Sequence, residues 1–333
     1  TAAAITELSD EAIEALFESK ILVASITETV KTLDFGELAL LIPDDVYDDK
    51  GYLKKTELVA LVSALKTIVT ALPCDEGDEE CAPIGFDYTK VLSLGSATID
   101  EVFRSLIIEA TIGNMVYEMG ADVLVIPETT TAVKTVLVEG ASHKIVTAGE
   151  IKKVFIAASV FEFENIEEIE FDESVILDIA SDEEKIDKIL DSEIIAATAG
   201  SMLFEMGEDV LTIPSVAMET ISVGEADKTI VTASEIRKLL LAVSTLEITT
   251  LEGMEIGPNI LKNLATAEDD TVLDENKADQ IFNSTILHAT ISSVLIDLVS
   301  GETQVLSIPY FDEEGNTIRY RNDVDDFEYI SVD

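Results

Sequence analysis

The stretch "GNMVYEMGADVLVIPE" at residues 113–128 returns as "GSMLFEMGEDVLTIPS" at residues 200–215, identical at ten of sixteen positions. Such duplication constrains the fold strongly: a catalytic loop copied whole would need two sets of chemical partners, whereas a packing unit can be copied freely. The Ile-Pro pair inside it occurs four times, at Ile42-Pro43, Ile126-Pro127, Ile213-Pro214 and Ile308-Pro309, with the prolines 84, 87 and 95 residues apart. Upstream of each pair stands a serine followed by apolar residues, in "SKILVAS", "SLIIEAT", "SEIIAAT" and "STILHAT". These begin at Ser19, Ser105, Ser192 and Ser284, and the serine-to-proline distances are 24, 22, 22 and 25. The correspondence therefore runs through a helix and on into the chain that follows it.

Around the second of these serines, Phe103, Ile107, Ala110 and Tyr117 recur at helical spacing, and Ile108, Ile112, Met115 and Met119 form a second apolar stripe. One helix is predicted, covered on more than one side and ended by Gly120, or by Gly207 in the next copy, in the left-handed conformation. Its Met and aromatic positions read as core, and the small pairs Ala110-Thr111 and Ala197-Thr198 let another backbone come close. The β-branched runs "DVLVIP" with "TVLVEG", and "DVLTIP" with "TISVGE", are predicted strands. Proline closes the first of each pair, and "DDKG" and "DEEG" supply turns elsewhere. A second helix then starts at a capping box, Thr147 with Glu150 and Thr232 with Glu235, with a weaker version at Glu57.

These readings predict an α+β fold, a tandem array of about four related modules, each made of a helix, short strands or a hairpin, and a second helix. The modules span 1–95, 96–181 and 182–272, with a partial module at 273–333. The widely apolar first helix favours modules packed on one another over separate beads. The closing "FEYISVD" aligns with "HKIVT" just ahead of a second helix, placing Asp333 near an N-cap. The last module is therefore expected to be incomplete, the chain being a segment of a longer polypeptide or a subunit completed by its neighbour.

Charge narrows the partners. With 67 acidic against 21 basic residues the net charge is −46, while a hydrophobic fraction of 47% argues for a folded chain. So acidic a surface repels nucleic acid phosphates and anionic lipid, which leaves cations, basic proteins or further copies of the chain. No apolar run reaches the roughly 20 residues that span a bilayer. The start "TAAAITELSD" lacks the pattern of a signal peptide, so a soluble, processed protein with no membrane insertion is expected.

Chemistry is sparse. His143 and His288 sit beside no plausible nucleophile, the repeated serines lie in apolar helices rather than a G-x-S-x-G elbow, and no phosphate-binding glycine loop occurs. In "VYDDKGYLKKTE", Gly51, Leu53 and Glu57 fall in EF-hand register, but Val46 and Lys50 stand where the first and fifth ligands belong. Asp44, Asp45, Asp48 and Asp49 remain candidates to gather around a hard cation such as calcium, against the alternative of a solvated hairpin tip. No other cofactor is implied. Cys74 and Cys81, in "CDEGDEEC", lack the partners of a zinc site and are either a disulfide across a short loop or two free thiols.

The expected function is that of a non-enzymatic, extracellular or cell-surface structural or adhesive protein, part of a longer surface protein or a head-to-tail filament or surface-layer subunit. In repeat style alone it resembles the long multi-repeat surface proteins of bacteria and archaea. The alternative is a binding module for a protein or a divalent cation; a carboxylate-based hydrolase ranks lower.

Overall fold

The computed structural model describes residues 9–32, 34–35, 38–73, 94–160, 178–224, 226–245, 274–300, 309–311 and 317–320. Cys74, Cys81 and the final "FEYISVD" lie outside them. The fold is mixed α+β, dominated by helices, and among the described residues the strands pair in small two-stranded antiparallel sheets.

In order, the chain forms α1 (Asp10–Leu16), α2 (Lys20–Lys31), β1 (Asp34–Phe35), β2 (Leu38–Ala39), a 3-10 turn at Asp44–Val46 and α3 (Lys55–Ala71). Next come α4 (Ser96–Val102), α5 (Leu106–Val123), β3 (Val133–Val138), β4 (Ala141–Val146) and α6 (Ala148–Val160). They are followed by α7 (Glu183–Leu190), α8 (Glu193–Val210), a 3-10 turn at Ser215–Ala217, β5 (Met218–Val223), β6 (Ala226–Val231) and α9 (Ala233–Thr245). The remaining elements are α10 (Glu275–Phe282), α11 (Thr285–Ser300), β7 (Pro309–Phe311) and β8 (Thr317–Tyr320).

What the sequence presents as one long helix is two. The repeated serines lie at the break: Ser19, Ser105 and Ser192 have extended backbones, and their hydroxyls accept the amide hydrogens of Leu22, Ile108 and Ile195. Ser284 accepts from Leu287 in the same way. Serine competes with helical hydrogen bonding in an interior and favours an N-cap, so each serine starts a new helix after a short one.

Gly120 and Gly207 do not end their helices in the left-handed conformation, since positive φ is confined to Gly51, Glu139, Gly140 and Gly224 among the described residues. They lie inside their helices, where the isoleucine of the Ile-Pro pair folds back over them and leaves no room for a side chain: a Cβ on Gly120 would stand 2.6 Å from Cδ1 of Ile126, and one on Gly207 2.5 Å from Cδ1 of Ile213. "DVLVIP" and "DVLTIP" are likewise not ladder strands. Their Asp-Val pairs finish α5 and α8, and the chain leaves extended from Leu124 and Leu211, with the amides of Val125 and Thr212 given to threonines of later helices.

The strands instead pair across the following turn, with Val133↔Val146 through Val138↔Ala141 in one hairpin and Met218↔Val231 through Val223↔Ala226 in the other. Glu139 at φ 52° and Gly140 at φ 77° make the two-residue turn whose twist matches a hairpin. The returning strands β4 and β6 lie across α5 and α8 at the glycine that opens the duplicated stretch. A Cβ there would meet the Val146 carbonyl oxygen at 2.4 Å from Gly113 and the Val231 carbonyl oxygen at 2.2 Å from Gly200. In α2 the matching residue is Thr27, whose hydroxyl accepts from the Leu53 amide at 3.1 Å and donates to the Val23 carbonyl at 2.8 Å.

The apolar clusters are closed by helices further along the chain. Leu58, Leu61 and Ala64 of α3 pack with Val102, Ile107 and Ile108. Ile126, Val146 and Ile151 are completed by Ile194, and Ala217, Val231 and Ile236 by Ile286. Among the described residues no helix is long and apolar enough to cross a membrane.

Candidate functional site

The most organised polar chemistry among the described residues lies where a helix start meets the helix that follows the next serine. Three glutamates at such starts are almost fully enclosed: Glu57 is 5% exposed, Glu150 and Glu235 2% each. Glu57 of α3 accepts from the Ser105 hydroxyl at 2.7 Å and from the amides of Leu106 at 3.2 Å and Ile107 at 3.1 Å. Glu150 of α6 accepts from the Ser192 hydroxyl at 2.8 Å and the Ile194 amide at 2.9 Å. Glu235 of α9 accepts from the Ser284 hydroxyl at 2.8 Å, the Ile286 amide at 3.0 Å and the Thr285 hydroxyl at 3.3 Å. The serines are 0% exposed. A carboxylate held against the unpaired amides of a helix N-terminus is favoured by both hydrogen bonding and the helix dipole, which offsets its removal from water.

Half of each expected capping box is present: the Thr147 hydroxyl accepts from the Glu150 amide at 3.2 Å, and Thr232 from Glu235 at 3.3 Å. The other half is redirected, the glutamate reaching forward to another helix rather than back to its own. Its neighbour Ala148 is capped instead by Glu109 of α5, whose carboxylate accepts that amide at 3.0 Å and holds Lys134 at 2.7 Å.

A second contact recurs beside the first. The residue before the Ile-Pro pair donates its amide to the threonine six positions after the next serine. Leu41 donates to Thr111, Val125 to Thr198 and Thr212 to Thr290, at 3.0, 2.9 and 3.0 Å. This explains the small Ala-Thr pairs: they admit an extended backbone and give it an acceptor.

The residue after the first two Ile-Pro pairs reaches the following hairpin. Asp44 accepts from the Glu139 amide at 2.8 Å and the Gly140 amide at 2.9 Å, while the Glu128 amide donates to the Ser222 carbonyl at 2.9 Å. The hydrogen bond from Lys144 holds the Glu128 carboxyl below the usual glutamate range, with Tyr117 donating to the same carboxylate at 3.2 Å. Burial pushes the Tyr117 phenol up, and the bond to Glu128 raises Lys144.

Three of the four aspartates considered for calcium are spread over different tasks, and Asp49 is exposed in the turn after Asp48. Asp44 serves the β3–β4 turn, and Asp48 folds onto its own loop, accepting from Lys50 at 2.8 Å and Tyr52 at 3.0 Å. Those amides, Tyr52 first, hold the Asp48 carboxyl below the ordinary aspartate range. Asp45 takes Lys54 through its carbonyl, and Glu57, in EF-hand register on paper, is turned away to Ser105. Among the described residues no three His, Cys, Asp or Glu side chains converge as a metal would need. A shallow groove lined by Pro43, Asp44, Asp45, Thr135, Val136 and Leu137 lies where the first loop meets β3. His143 sits in β4 opposite Val136, and His288 stands edge-on to Phe282 with ring centres 5.9 Å apart.

Comparison with known families, with curated proteins and with solved structures finds no match. The geometry clamps helices together through buried serine–glutamate pairs.

Proposed function

We propose that the chain is a tandem array of about four modules, bounded as the sequence indicates, and that it works as a non-enzymatic structural or adhesive protein outside the cell. The observation that carries this reading is the threefold recurrence of one junction: Glu57 on Ser105, Glu150 on Ser192 and Glu235 on Ser284. In each, a buried carboxylate of one module caps the first long helix of the next, and an isoleucine two residues past the serine completes the earlier module's core. Burying polar groups in matched sets fixes one register between neighbours, a property suited to a stalk, filament or surface layer and of little use to a diffusing catalyst. The net charge of −46 supports an exposed, hydrated surface and contact with cations or basic partners.

Fluorescent antibody against the chain, applied to intact producing cells, tests the location; labelling only after permeabilisation would refute it. Small-angle scattering tests the form, since a stack of packed modules gives an elongated particle with one maximum dimension, whereas a single globule overturns the array. Cation binding at the Asp44–Asp49 loop stands as a second proposal, supported by the exposed, acidic tip and tested by calorimetry with calcium after chelation.

A further inference from the structure

Three of the four helices that begin after a repeated serine are covered on the same face; the fourth is bare. Ile107, Ile194 and Ile286 are 0% exposed, whereas Ile21, which holds that place in α2, is 82% exposed. Three residues before the serine, Val102, Ile189 and Ile281 are 3%, 6% and 1% exposed, but Leu16 is 43% exposed. Ser105, Ser192 and Ser284 are fully enclosed under a carboxylate, while Ser19 and Ser25, the counterparts of Ser105 and Thr111, are exposed. The face thus carries a complete set of acceptor features, an N-capping serine with an isoleucine two residues on and a hydroxyl six residues on, with an apolar shoulder at Leu16.

What covers this face elsewhere in the chain is the same every time. A helix start brings a glutamate to the serine, an alanine seven residues later to the apolar shoulder, and an extended residue ahead of Ile-Pro to the hydroxyl. Ala64, Ala157 and Ala242, each seven residues after its glutamate, are 0% exposed. From this we infer that the Leu16–Ser25 face is a docking surface for one further module of this same type, which supplies a glutamate-led second helix and an extended Ile-Pro segment. The glutamates of the three described second helices are already engaged at Ser105, Ser192 and Ser284, so the occupant brings its own. Its chemistry is specified: a carboxylate for the Ser19 hydroxyl and the Ile21 amide, a small apolar residue for Leu16, and a free backbone amide for Ser25.

This inference rests on the array reading, and its test separates the two. Residues 96–181 are duplicated and fused ahead of Ser9, which stands ten residues before Ser19 as Asp182 stands ten before Ser192. Amide exchange is then compared with that of the unextended chain. The Ile21 and Leu22 amides are expected to slow by about 30-fold or more, the effect of gaining hydrogen bonds to a buried carboxylate. The slowing should vanish when the added copy of Glu150 is changed to Ala, or when Ile21→Asp is made in the original chain. Unchanged exchange in α2 beside a folded added module, judged by protection of its own hairpin, would overturn the inference while leaving the array reading intact; so would slowing that survives both substitutions. A parallel extension with residues 182–273, whose donor is Glu235, applies the same criteria if the first added module does not fold. Sedimentation of the unextended chain gives the other arm: a dimer that Ile21→Asp dissociates would mean that two α2 faces cover each other, and the inference would fall.

Discussion

Removing the Glu150 carboxylate is the sharpest probe of the junctions. In Glu150→Ala the Ser192 hydroxyl and the Ile194 amide, bonded at 2.8 and 2.9 Å, both lose their acceptor in a site where serine and isoleucine are 0% exposed. Two hydrogen bonds to a charged acceptor, taken at about 1.5 kcal/mol each, give about 3 kcal/mol. Release of the carboxylate's own desolvation cost works against that sum, while the cavity left by the side chain and the weakened helix start work with it. A net loss of about 2–3 kcal/mol is expected, about 30- to 150-fold in the opening equilibrium. Glu150→Gln keeps an acceptor oxygen for both donors but loses the charge facing the helix dipole, which costs about 1 kcal/mol.

The proposed array would open in parts, so a single melting curve would blur this effect. The better assay is amide exchange at Ile194 and Ile195, read against β3 and β4 as an internal standard. A double-mutant cycle with Ser192→Ala should return a coupling of about 1–2 kcal/mol, because the two side chains share one bond. A change below about 0.5 kcal/mol in Glu150→Ala, the level of an ordinary surface substitution, together with zero coupling, would refute the reasoning.

Further outcomes follow from the same geometry. Thr198→Val leaves the Val125 amide without its acceptor and should cost about 1–2 kcal/mol by urea unfolding, with faster exchange confined to Val125 and its neighbours. Gly200→Ala would gain helix propensity in an open helix, but here its Cβ would lie 2.2 Å from the Val231 carbonyl oxygen; a loss of about 2 kcal/mol or more is expected, and a neutral result would mean that α8 and β6 are not so close. Glu128 has its folded pKa depressed, chiefly by Lys144, so the stability it contributes is present above the ordinary glutamate value and is lost as pH falls through the lower folded value. Carbon-13 titration should place its midpoint below about 4.3, and Lys144→Ala should move it upward; no movement would sink that assignment.

Much of the fold was legible because its signals are local. Thr147 and Thr232 mark helix starts, and hydroxyls at both places accept the expected amide. The β-branched runs after the Ile-Pro pairs do form strands, and the register of the repeats located the serines. What escaped the sequence reading depends on neighbours. Glu150 carries the same local signature whether it reaches back to its own helix or forward to Ser192, and only packing decides between them. Gly120 carries the signature of a helix end, yet α5 runs on past it to Val123, and the glycine instead makes room for Ile126. One further signal was in plain view: a glutamate preceding each later serine by 48, 42 and 49 residues. A carboxylate and a hydroxyl at matched places in successive repeats are a pair worth testing for contact before either is assigned to its own helix.

The pairing of Glu57, Glu150 and Glu235 with serines further along the chain also bears on how such a protein changes over generations. In the proposed array, a module whose two sides are complementary would bring one donor and one acceptor wherever it is inserted. Lengthening the gene by unequal exchange would therefore add a satisfied junction without inventing an interface, and loss of a module would close the gap with the same contacts. On that proposal the number of modules would be a quantity that recombination can adjust freely, while the residues at the junctions would be constrained by their need to fit every copy.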